Sequence, residues 1–440
     1  MRLLETDVQT LDDLRIFGKR DQSGIFEIYN KTRTRGGENL LRDLFRQPVA
    51  DQKTIADRVA ILSYFSTLQV EFPFDSVVFD MTEKYIRNRS HSTLSTSQGL
   101  GEKDVQNGVS AIIQFLNRLR SFLSTDAIAH AAVYRAQRDA IHAILDEEIF
   151  APVFKEHNEG KIPFSALTAY DLLFRTKIYA KIESLLNHVY LLDVYLAVAS
   201  IARERNFVYP VVHPKGSQVL RLKGLYHPEL SEPIANDVTM DGTTSLTLLT
   251  GANMAGKSTF LRSIGTAIYL AHMGFPIAAA AMDFAVMDGI YTTINLPDNL
   301  GIGASHFYAE VLRVKKMATE LGKGKSLFVI FDELFRGTNV KDAHEATVEV
   351  ARAFAAKDTS RFIISSHIVE AAKQLEQVKA VDFWYLPTRM EGANPVYTYI
   401  LEQGVTNDRH GMLIIQNEGV LEILRNGQKK NSRTSLEQIS

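Results

Sequence analysis

Residues 251–258 form a glycine-bounded loop that reads GANMAGKS and matches the phosphate-binding pattern G-x-x-x-x-G-K-[ST] at each fixed position. An apolar run at 246–250 precedes the loop and a segment of helical character follows at 259–264. Glycines let the backbone wrap around a phosphate, and the amides of the helix N-terminus point towards it. Lys257 would neutralise the β- and γ-phosphates, and Ser258 would hold Mg²⁺. The pattern predicts a nucleoside triphosphate site; the alternative is a glycine turn with a solvated lysine.

Two further motifs follow apolar runs downstream of this loop. The run 327–331 continues directly into Asp332 and Glu333. In a phosphate-loop fold the strand beside the loop presents an Asp to the metal, so Asp332 is the predicted metal residue, and Glu333 is placed to orient and deprotonate the attacking water. The run 361–365 leads to His367, which would hydrogen-bond the γ-phosphate or that water. Together these residues predict hydrolysis of the triphosphate in addition to binding.

The chain has two composition regimes. Residues 1–205 carry helical apolar patterns with few glycines, including a long apolar run at 179–202, whereas short apolar strands alternate with helices from about 218 onward. This order predicts a helical domain followed by an α/β domain with a parallel or mixed sheet. We expect a loop or mobile insertion at 88–107, a disordered tail at 428–440, and strands at 246–250, 327–331, 361–365, 383–386 and 397–401.

Composition narrows the environment and the partners. The 440 residues, 45% of them hydrophobic, suffice for two or three domains. The absence of Cys excludes disulfides and thiolate chemistry and suits a reducing cytoplasm. The start of the chain does not look like a signal peptide, and the apolar stretch 277–281 is too short to cross a bilayer. A net charge of −2 argues against a generally basic nucleic-acid protein, although a local basic face is compatible with Lys19, Arg20, Lys31, Arg33, Arg35 and Arg42.

The phosphate loop, residues 332–339 and the pair Ser366 and His367 together resemble the ATPase domain of the MutS mismatch-repair family, which belongs to the ABC-type ATPases. The similarity is specific over about 224–424, where it also includes residues 226–228, 232–237, 298–307 and 411–413 with Glu310 and Asp342. It is weaker over 24–34, which looks like the start of the helical core of that family.

The resemblance implies an N-terminal helical core or lever domain at 1–205 and a P-loop ATPase and dimerisation domain with a mostly parallel sheet at 206–427. It leaves open a reduced clamp near 88–107. The cofactors implied are ATP and Mg²⁺, and the assembly implied is a homodimer with composite sites, in which Ser305 reaches the γ-phosphate bound by the other subunit. The catalytic set is Glu333, His367 and Lys257, and the metal set is Ser258 and Asp332. The nucleotide-binding set is Gly251, Ala252, Asn253, Met254, Ala255, Gly256, Lys257, Ser258, Thr259, Ile234, Tyr399 and Ser305 in trans.

Several positions depart from the family pattern. Ile234 stands where an aromatic residue would face the adenine opposite Tyr399, Ala255 replaces a glycine, and Thr293 stands where an arginine is usual. We expect these changes to affect ATP affinity more than ATP use. The chain begins at the helical core, so the mismatch-reading and connector domains have no expected counterpart. The letters of the family's Phe-x-Glu wedge recur at 154–156, within a helical region, which we interpret as a chance match.

The first hypothesis for function is therefore an ATP-gated, dimeric DNA-binding ATPase of the MutS type that acts on mismatched, branched or otherwise structured DNA. Phosphate contacts would carry most of that binding. The alternative is a regulatory ATPase whose helical region binds a protein partner, which near-neutral charge favours. An ABC-type transporter or a chromosome-condensing ATPase is the third hypothesis; it is disfavoured by the helical region and by the lack of long heptad repeats. We expect a cytoplasmic protein without a membrane partner and with a repair protein as a further candidate partner.

Overall fold

The computed structural model describes residues 2–20, 22–88, 101–156, 162–240, 242–295, 306–335, 337–367, 369–391, 394–406, 415 and 419–425. Up to Arg205 these residues are mostly helical. Two 3₁₀ turns (Ala132–Tyr134 and Glu148–Phe150) and one π-helical turn (Leu173–Lys177) interrupt the α-helices. The α-helices are α1 (Val8–Asp13), α2 (Ile25–Tyr29), α3 (Arg35–Arg46), α4 (Gln52–Thr67), α5 (Ser76–Arg87), α6 (Glu102–Leu123), α7 (Asp126–Ala129), α8 (Arg135–Leu145), α9 (Ala151–Lys155), α10 (Phe164–Leu172) and α11 (Tyr179–Arg205).

The long helix α11 is the central helix of this region. Its apolar residues are buried on nearly all sides, against α3 and α4 among others, and it ends where Asn206 adopts a left-handed conformation with φ 55°. This confirms the helix predicted from the apolar run 179–202. Among the described residues, α11 alone is long and apolar enough to cross a membrane, but 72% of its most apolar 18-residue window is buried inside the protein. Such burial is typical of the core helix of a globular domain.

The second half of the chain alternates strands with helices. Its helices are α12 (Lys257–His272), α13 (His306–Gly322), α14 (Val340–Ala355) and α15 (Val369–Leu375). Its strands are β1 (Val211–His213), β2 (Leu220–Leu225), β3 (Asn236–Thr239), β4 (Leu246–Gly251), β5 (Ala281–Ala285), β6 (Gly289–Thr293), β7 (Leu327–Asp332), β8 (Arg361–Ser365), β9 (Val381–Leu386), β10 (Thr388–Glu391), β11 (Asn394–Tyr397) and β12 (Glu402–Gln403).

A six-stranded sheet in the order β12-β9-β4-β8-β7-β6 carries the motifs, and all its pairs are parallel except β12 with β9. The mostly parallel sheet and the strands predicted at 246–250, 327–331, 361–365 and 383–386 are thus confirmed. β7, the strand that ends in Asp332, is not paired with β4, because β8 pairs with both strands and separates them. After β7 the chain returns through α14, which is what allows β8 to enter between the two strands.

Three other boundaries differ from the sequence expectations. The strand predicted at 397–401 does not form, because β11 ends at Tyr397 and Tyr399 has a left-handed φ of 55° that no strand tolerates. The loop predicted at 88–107 is helical from Glu102, whose acidic first turn favours a helix N-terminus; residues 89–100 and the predicted tail at 428–440 lie outside the described residues. The sequence also predicts that Asp342 begins a helix; that helix begins at Val340 instead, because Asn339 caps it by accepting the amide of Asp342 at 2.9 Å.

The helical and sheet-bearing parts share one buried core. Tyr29 and Phe45 from the helical part pack on Phe275, with ring centroids 5.8 and 5.7 Å apart. A smaller sheet in the order β1-β5-β2-β3 flanks that core. The first residues of the chain also belong to the sheet side, since Glu5 pairs with Gly289 of β6, the last strand of the six-stranded sheet. Helix α11 ends at Arg205 and β1 begins at Val211, while the division into domains at 205 stays a prediction.

Candidate nucleotide-binding site

The phosphate loop connects the fully buried strand β4 to α12. Gly256 precedes α12 with φ 97°, a left-handed conformation that glycine adopts without strain, and Met254 turns the loop with φ 70°. The Lys257 side chain lies back across the loop, where Nζ donates to the carbonyls of Gly251 at 2.8 Å and Ala252 at 3.1 Å. Burial lowers the pKa of Lys257, although the nearby carboxylates of Glu333 and Asp332 oppose that shift. A buried cation therefore lies at the N-terminus of a helix, where an anion is favoured.

Asp332 lies at the carboxyl end of β7 and contacts both neighbouring elements. The Ser258 hydroxyl at the start of α12 donates to Oδ2 of Asp332, and the Ser365 hydroxyl at the end of β8 donates to Oδ1. Ser258, which follows β4, therefore contacts Asp332 at the end of β7 even though β4 and β7 are not paired. The contact is possible because β4, β8 and β7 all end at the same edge of the parallel sheet.

Glu333 follows Asp332 in a strained conformation. Its φ is 59°, and its amide donates to the carbonyl oxygen of Ser365 at 3.2 Å and to the hydroxyl oxygen of Ser365 at 3.1 Å. These contacts hold the backbone in a region that non-glycine residues rarely occupy, which is frequent at functional sites. The Glu333 carboxylate lies 3.7 Å from Nδ1 of His367, and the His367 side chain is 55% exposed. Both side chains thus reach the same solvent-accessible edge.

A cavity of about 360 Å³ adjoins the phosphate loop on the side away from Asp332. Ile234, Phe260 and Tyr399 give it apolar walls, and Gly256 and Thr259 connect it to the loop. The Tyr399 ring packs so closely on Gly256 that a Cβ there would lie 2.9 Å from the ring. Asn236 holds this wall, since its Nδ2 donates to the Tyr399 carbonyl at 3.0 Å and its Oδ1 accepts the Leu401 amide at 2.6 Å.

The structure brings together most of the residues that the sequence singled out. Lys257, Ser258, Asp332, Glu333 and His367 surround one edge of the sheet. Ile234 and Tyr399 line the adjoining cavity, and Asn253 and Met254 are exposed at the tip of the loop. Ser305 lies outside the described residues, so its approach to a second subunit stays a prediction.

Ser365 and Asn236 belong to this site but were not predicted as site residues from the sequence. A small polar residue that ends a buried strand just before His367 was the available signal for Ser365. Asn236 had only the weaker signal of its place in the resemblance, because its partners lie more than 160 residues away along the chain.

The departures from the family pattern have structural partners. Thr293 accepts from Nε of Arg313 at 3.4 Å, so an arginine of α13 reaches the position where the family has one of its own.

In the Phe-x-Glu match at 154–156, the Arg120 guanidinium lies 4.5 Å from the Phe154 ring centroid and Glu156 accepts from the Tyr170 hydroxyl at 2.8 Å. Both side chains are engaged within the helical region, in agreement with a chance match.

Comparison with known proteins connects this site to one family. Residues 247–434 match the family model of MutS domain V. The chain is similar to three proteins named DNA mismatch repair protein MutS. The protein from Persephonella marina is 28% identical over 236 residues, 53% of this chain and 27% of that protein. The Fusobacterium nucleatum protein is 28% identical over 302 residues, which are 64% of this chain and 33% of that protein. The Anaplasma phagocytophilum protein is 30% identical over 224 residues, which are 50% of this chain and 27% of that protein.

This chain spans about a quarter to a third of the length of these relatives. The region that matches domain V contains the phosphate loop and the ends of β7 and β8 with Asp332, Glu333 and His367. Sequence similarity to the relatives and the mixed α/β architecture agree, and they relate this chain to the MutS family through its domain V.

Proposed function

We propose that this chain is a Mg²⁺-dependent ATPase with a P-loop fold, of the MutS type, which as a dimer couples ATP binding and hydrolysis to the binding of mismatched, branched or otherwise structured DNA. One observation carries the ATPase part. The Ser258 hydroxyl, the Asp332 carboxylate and the Ser365 hydroxyl form a continuous chain at the sheet edge directly beside Lys257. The proposed fold and site account for why a buried lysine and two acids converge there.

The oxygen atoms of these hydrogen-bonded side chains are suitable ligands for Mg²⁺. Ser258 and Asp332 offer a hydroxyl and a carboxylate oxygen in direct contact, and Mg²⁺ prefers oxygen ligands that include substrate phosphates. In the parts of the chain that the structure describes, no group of three His, Asp or Glu side chains forms a ready-made metal site. The two residues would therefore hold the ion together with the nucleotide, and the ion would neutralise phosphate charge.

Lys257 and Glu333 would carry the remaining chemistry. On nucleotide binding Lys257 would exchange the carbonyl oxygens of Gly251 and Ala252 for phosphate oxygens, which are better partners for a buried cation. Glu333 would orient the attacking water and accept its proton, and His367, 3.7 Å away, would hydrogen-bond that water or the γ-phosphate. The base would enter the cavity between Ile234 and Tyr399, where the ring offers one stacking face.

DNA as the partner rests on the names of the relatives and on the helical region. Arg33 and Arg35 are exposed there and could contact phosphates, whereas Lys31 pairs with Glu204 and Arg42 lies 4.2 Å from the Phe26 ring centroid. Homodimerisation through Ser305 in trans, a cytoplasmic location and the absence of a membrane partner belong to the same proposal. A protein partner for the helical region is the outcome to which a negative DNA test would point.

The ATPase proposal is tested by measuring Mg-ATP binding and hydrolysis by the full chain, Lys257→Ala and the control Lys341→Ala. Lys341 is an exposed lysine of α14. We expect hydrolysis by the parent and the control, and loss of nucleotide binding in Lys257→Ala. Equal turnover in Lys257→Ala and the parent would overturn the site assignment.

The DNA proposal needs a separate measurement. Gel shifts with homoduplex, mismatched duplex, a four-way junction and single strand, each with and without ATP, should give complexes that weaken steeply with salt. If no DNA gives a salt-sensitive complex, DNA is not the partner.

A further inference from the structure

The N-terminal segment, residues 5–14, lies on the sheet side of the molecule rather than with the helices that follow it. Glu5 pairs with Gly289 at the edge of β6, and α1 packs across the same strand. Leu14 fills the space beside Gly265 of α12, where an added Cβ would lie 2.6 Å from Leu14 Cδ2. The segment therefore contacts both the phosphate-loop helix and the strand at the far edge of the sheet.

Asp13 concentrates these contacts in one buried residue. It is 2% exposed, and its carboxylate accepts four hydrogen bonds. Three of them come from the end of β6 and the residues after it: the Thr292 hydroxyl at 2.8 Å, the Ile294 amide at 2.9 Å and the Asn295 amide at 3.0 Å. The fourth comes from Gln9 at 2.8 Å. A buried carboxylate with this many donors is held in one position, because moving any donor leaves a charge partly unsatisfied.

The backbone of the same residue is tied to the phosphate-loop helix. Nε of Arg262, five residues after Lys257 on α12, donates to the Asp13 carbonyl at 3.0 Å. Burial and the neighbouring Arg15 lower the pKa of Arg262. One residue thus bonds α12 through its carbonyl and the end of β6 through its carboxylate.

Asp7 repeats the pattern on α13. Burial raises the pKa of Asp7, but hydrogen bonds from Arg313 and Lys316 outweigh that effect and lower the pKa to about 2. Arg313 also donates to the Thr292 carbonyl at 2.5 Å, so α13 and the end of β6 are joined through the same segment. The residues that Asp7 and Asp13 hold lie on both sides of residues 296–305.

We infer that Asp13 is a positioning residue that transmits the nucleotide state of the phosphate loop from α12 to the end of β6 and, through Arg313, to the middle of α13. This inference rests on the proposed ATPase function. A shift of α12 on nucleotide binding pulls on the Arg262 to Asp13 bond, and the rigid carboxylate passes that shift to residues 292–295. Without the carboxylate, nucleotide still binds at the loop, but the response beyond β6 is lost.

The test compares the full-length parent with Asp13→Asn, and with Asp12→Asn as the matched control. Asp12 is the exposed neighbour and pairs with Lys19 at 3.3 Å. Hydrogen–deuterium exchange is followed in α12, in residues 289–295 and in α13, with and without a non-hydrolysable ATP analogue and Mg²⁺. We expect protection in all three regions of the parent and of Asp12→Asn. In Asp13→Asn protection persists in α12 only, kcat falls about tenfold and KM for ATP changes less than about twofold.

The outcomes separate the two proposals. If the analogue leaves α12 of the parent unprotected, the nucleotide site itself is wrong. If α12 responds and Asp13→Asn transmits protection to α13 as the parent does, the positioning role is wrong. Should Asp13→Asn fail to fold, Arg262→Met provides the same comparison, because it removes the guanidinium that donates to the Asp13 carbonyl and keeps an unbranched side chain. Full transmission in that variant would also overturn the inference.

Discussion

Asn236 provides a test of how the base cavity is built. Its side chain is 8% exposed and joins β3 to the segment that carries Tyr399, through the bonds to the Tyr399 carbonyl at 3.0 Å and the Leu401 amide at 2.6 Å. Asn236→Ala removes both bonds and leaves the phosphate loop intact. We expect weaker ATP binding because Tyr399 loses its fixed position against Gly256.

The size of the effect follows from those two bonds. A buried hydrogen bond contributes about 1 kcal/mol net, so the two bonds stabilise the conformation in which Tyr399 packs on Gly256 by about 2 kcal/mol. The apparent dissociation constant scales inversely with the population of the competent state, and 1.4 kcal/mol corresponds to a factor of ten. The dissociation constant for Mg-ATP should therefore rise by at most about 30-fold.

The assay is equilibrium titration of Asn236→Ala with Mg-ATP and with Mg-tripolyphosphate, which has no base. Gln403→Ala, a surface amide on β12, is the control variant. Weaker binding of ATP with unchanged binding of tripolyphosphate supports the structure of the cavity. An equal loss for both ligands, or no loss for ATP, would refute the reasoning.

Three further predictions concern single side chains. Ser365→Ala removes a hydroxyl donor to Asp332, and we expect about tenfold more Mg²⁺ for half-maximal hydrolysis, measured by Mg²⁺ titration at saturating ATP. His367→Asn should lower kcat by about 10²-fold and leave the dissociation constant for ATP nearly unchanged, since His367 lies beside Glu333, the proposed base, and a role at the water or the γ-phosphate would affect hydrolysis more than binding. Burial lowers the pKa of His272 from 6.5 to about 4, so its contribution to stability is present above pH 6.5 and is lost as the pH falls to 4; denaturant unfolding should show a loss of about 3 kcal/mol that His272→Gln lacks.

The local part of the site was predictable from sequence. The loop pattern places Lys257 and Ser258 at a helix N-terminus, and a strand that ends in Asp332 and Glu333 must present them at the same edge of a parallel sheet. Both inferences depend only on residues that are neighbours in the chain. Their meeting follows from the shared direction of the strands rather than from the order of the strands, which is why Asp332 reaches Ser258 although β8 lies between their strands.

The non-local part was not predictable in the same way. Tyr399 has a left-handed backbone conformation, although the apolar residues around it predict a strand. The hydrogen bonds that fix it come from Asn236 on β3, in the smaller sheet. Asp13 in α1 is buried because its carboxylate accepts from Thr292 and Ile294, which lie 279 and 281 residues away along the chain. Such contacts depend on tertiary packing, and no periodicity in the sequence encodes them.

The proposed hydrolysis requires Glu333 to act on water beside a bound nucleotide. The most direct measurement is a single-turnover assay of Mg-ATP hydrolysis by Glu333→Gln and by the parent, with ATP binding measured on the same preparations. Glu333→Gln keeps the shape and the backbone bonds to Ser365 and removes only the basic oxygen. We predict unchanged ATP affinity and a hydrolysis rate lowered by about 10²- to 10⁴-fold. Hydrolysis at the parental rate would contradict the account.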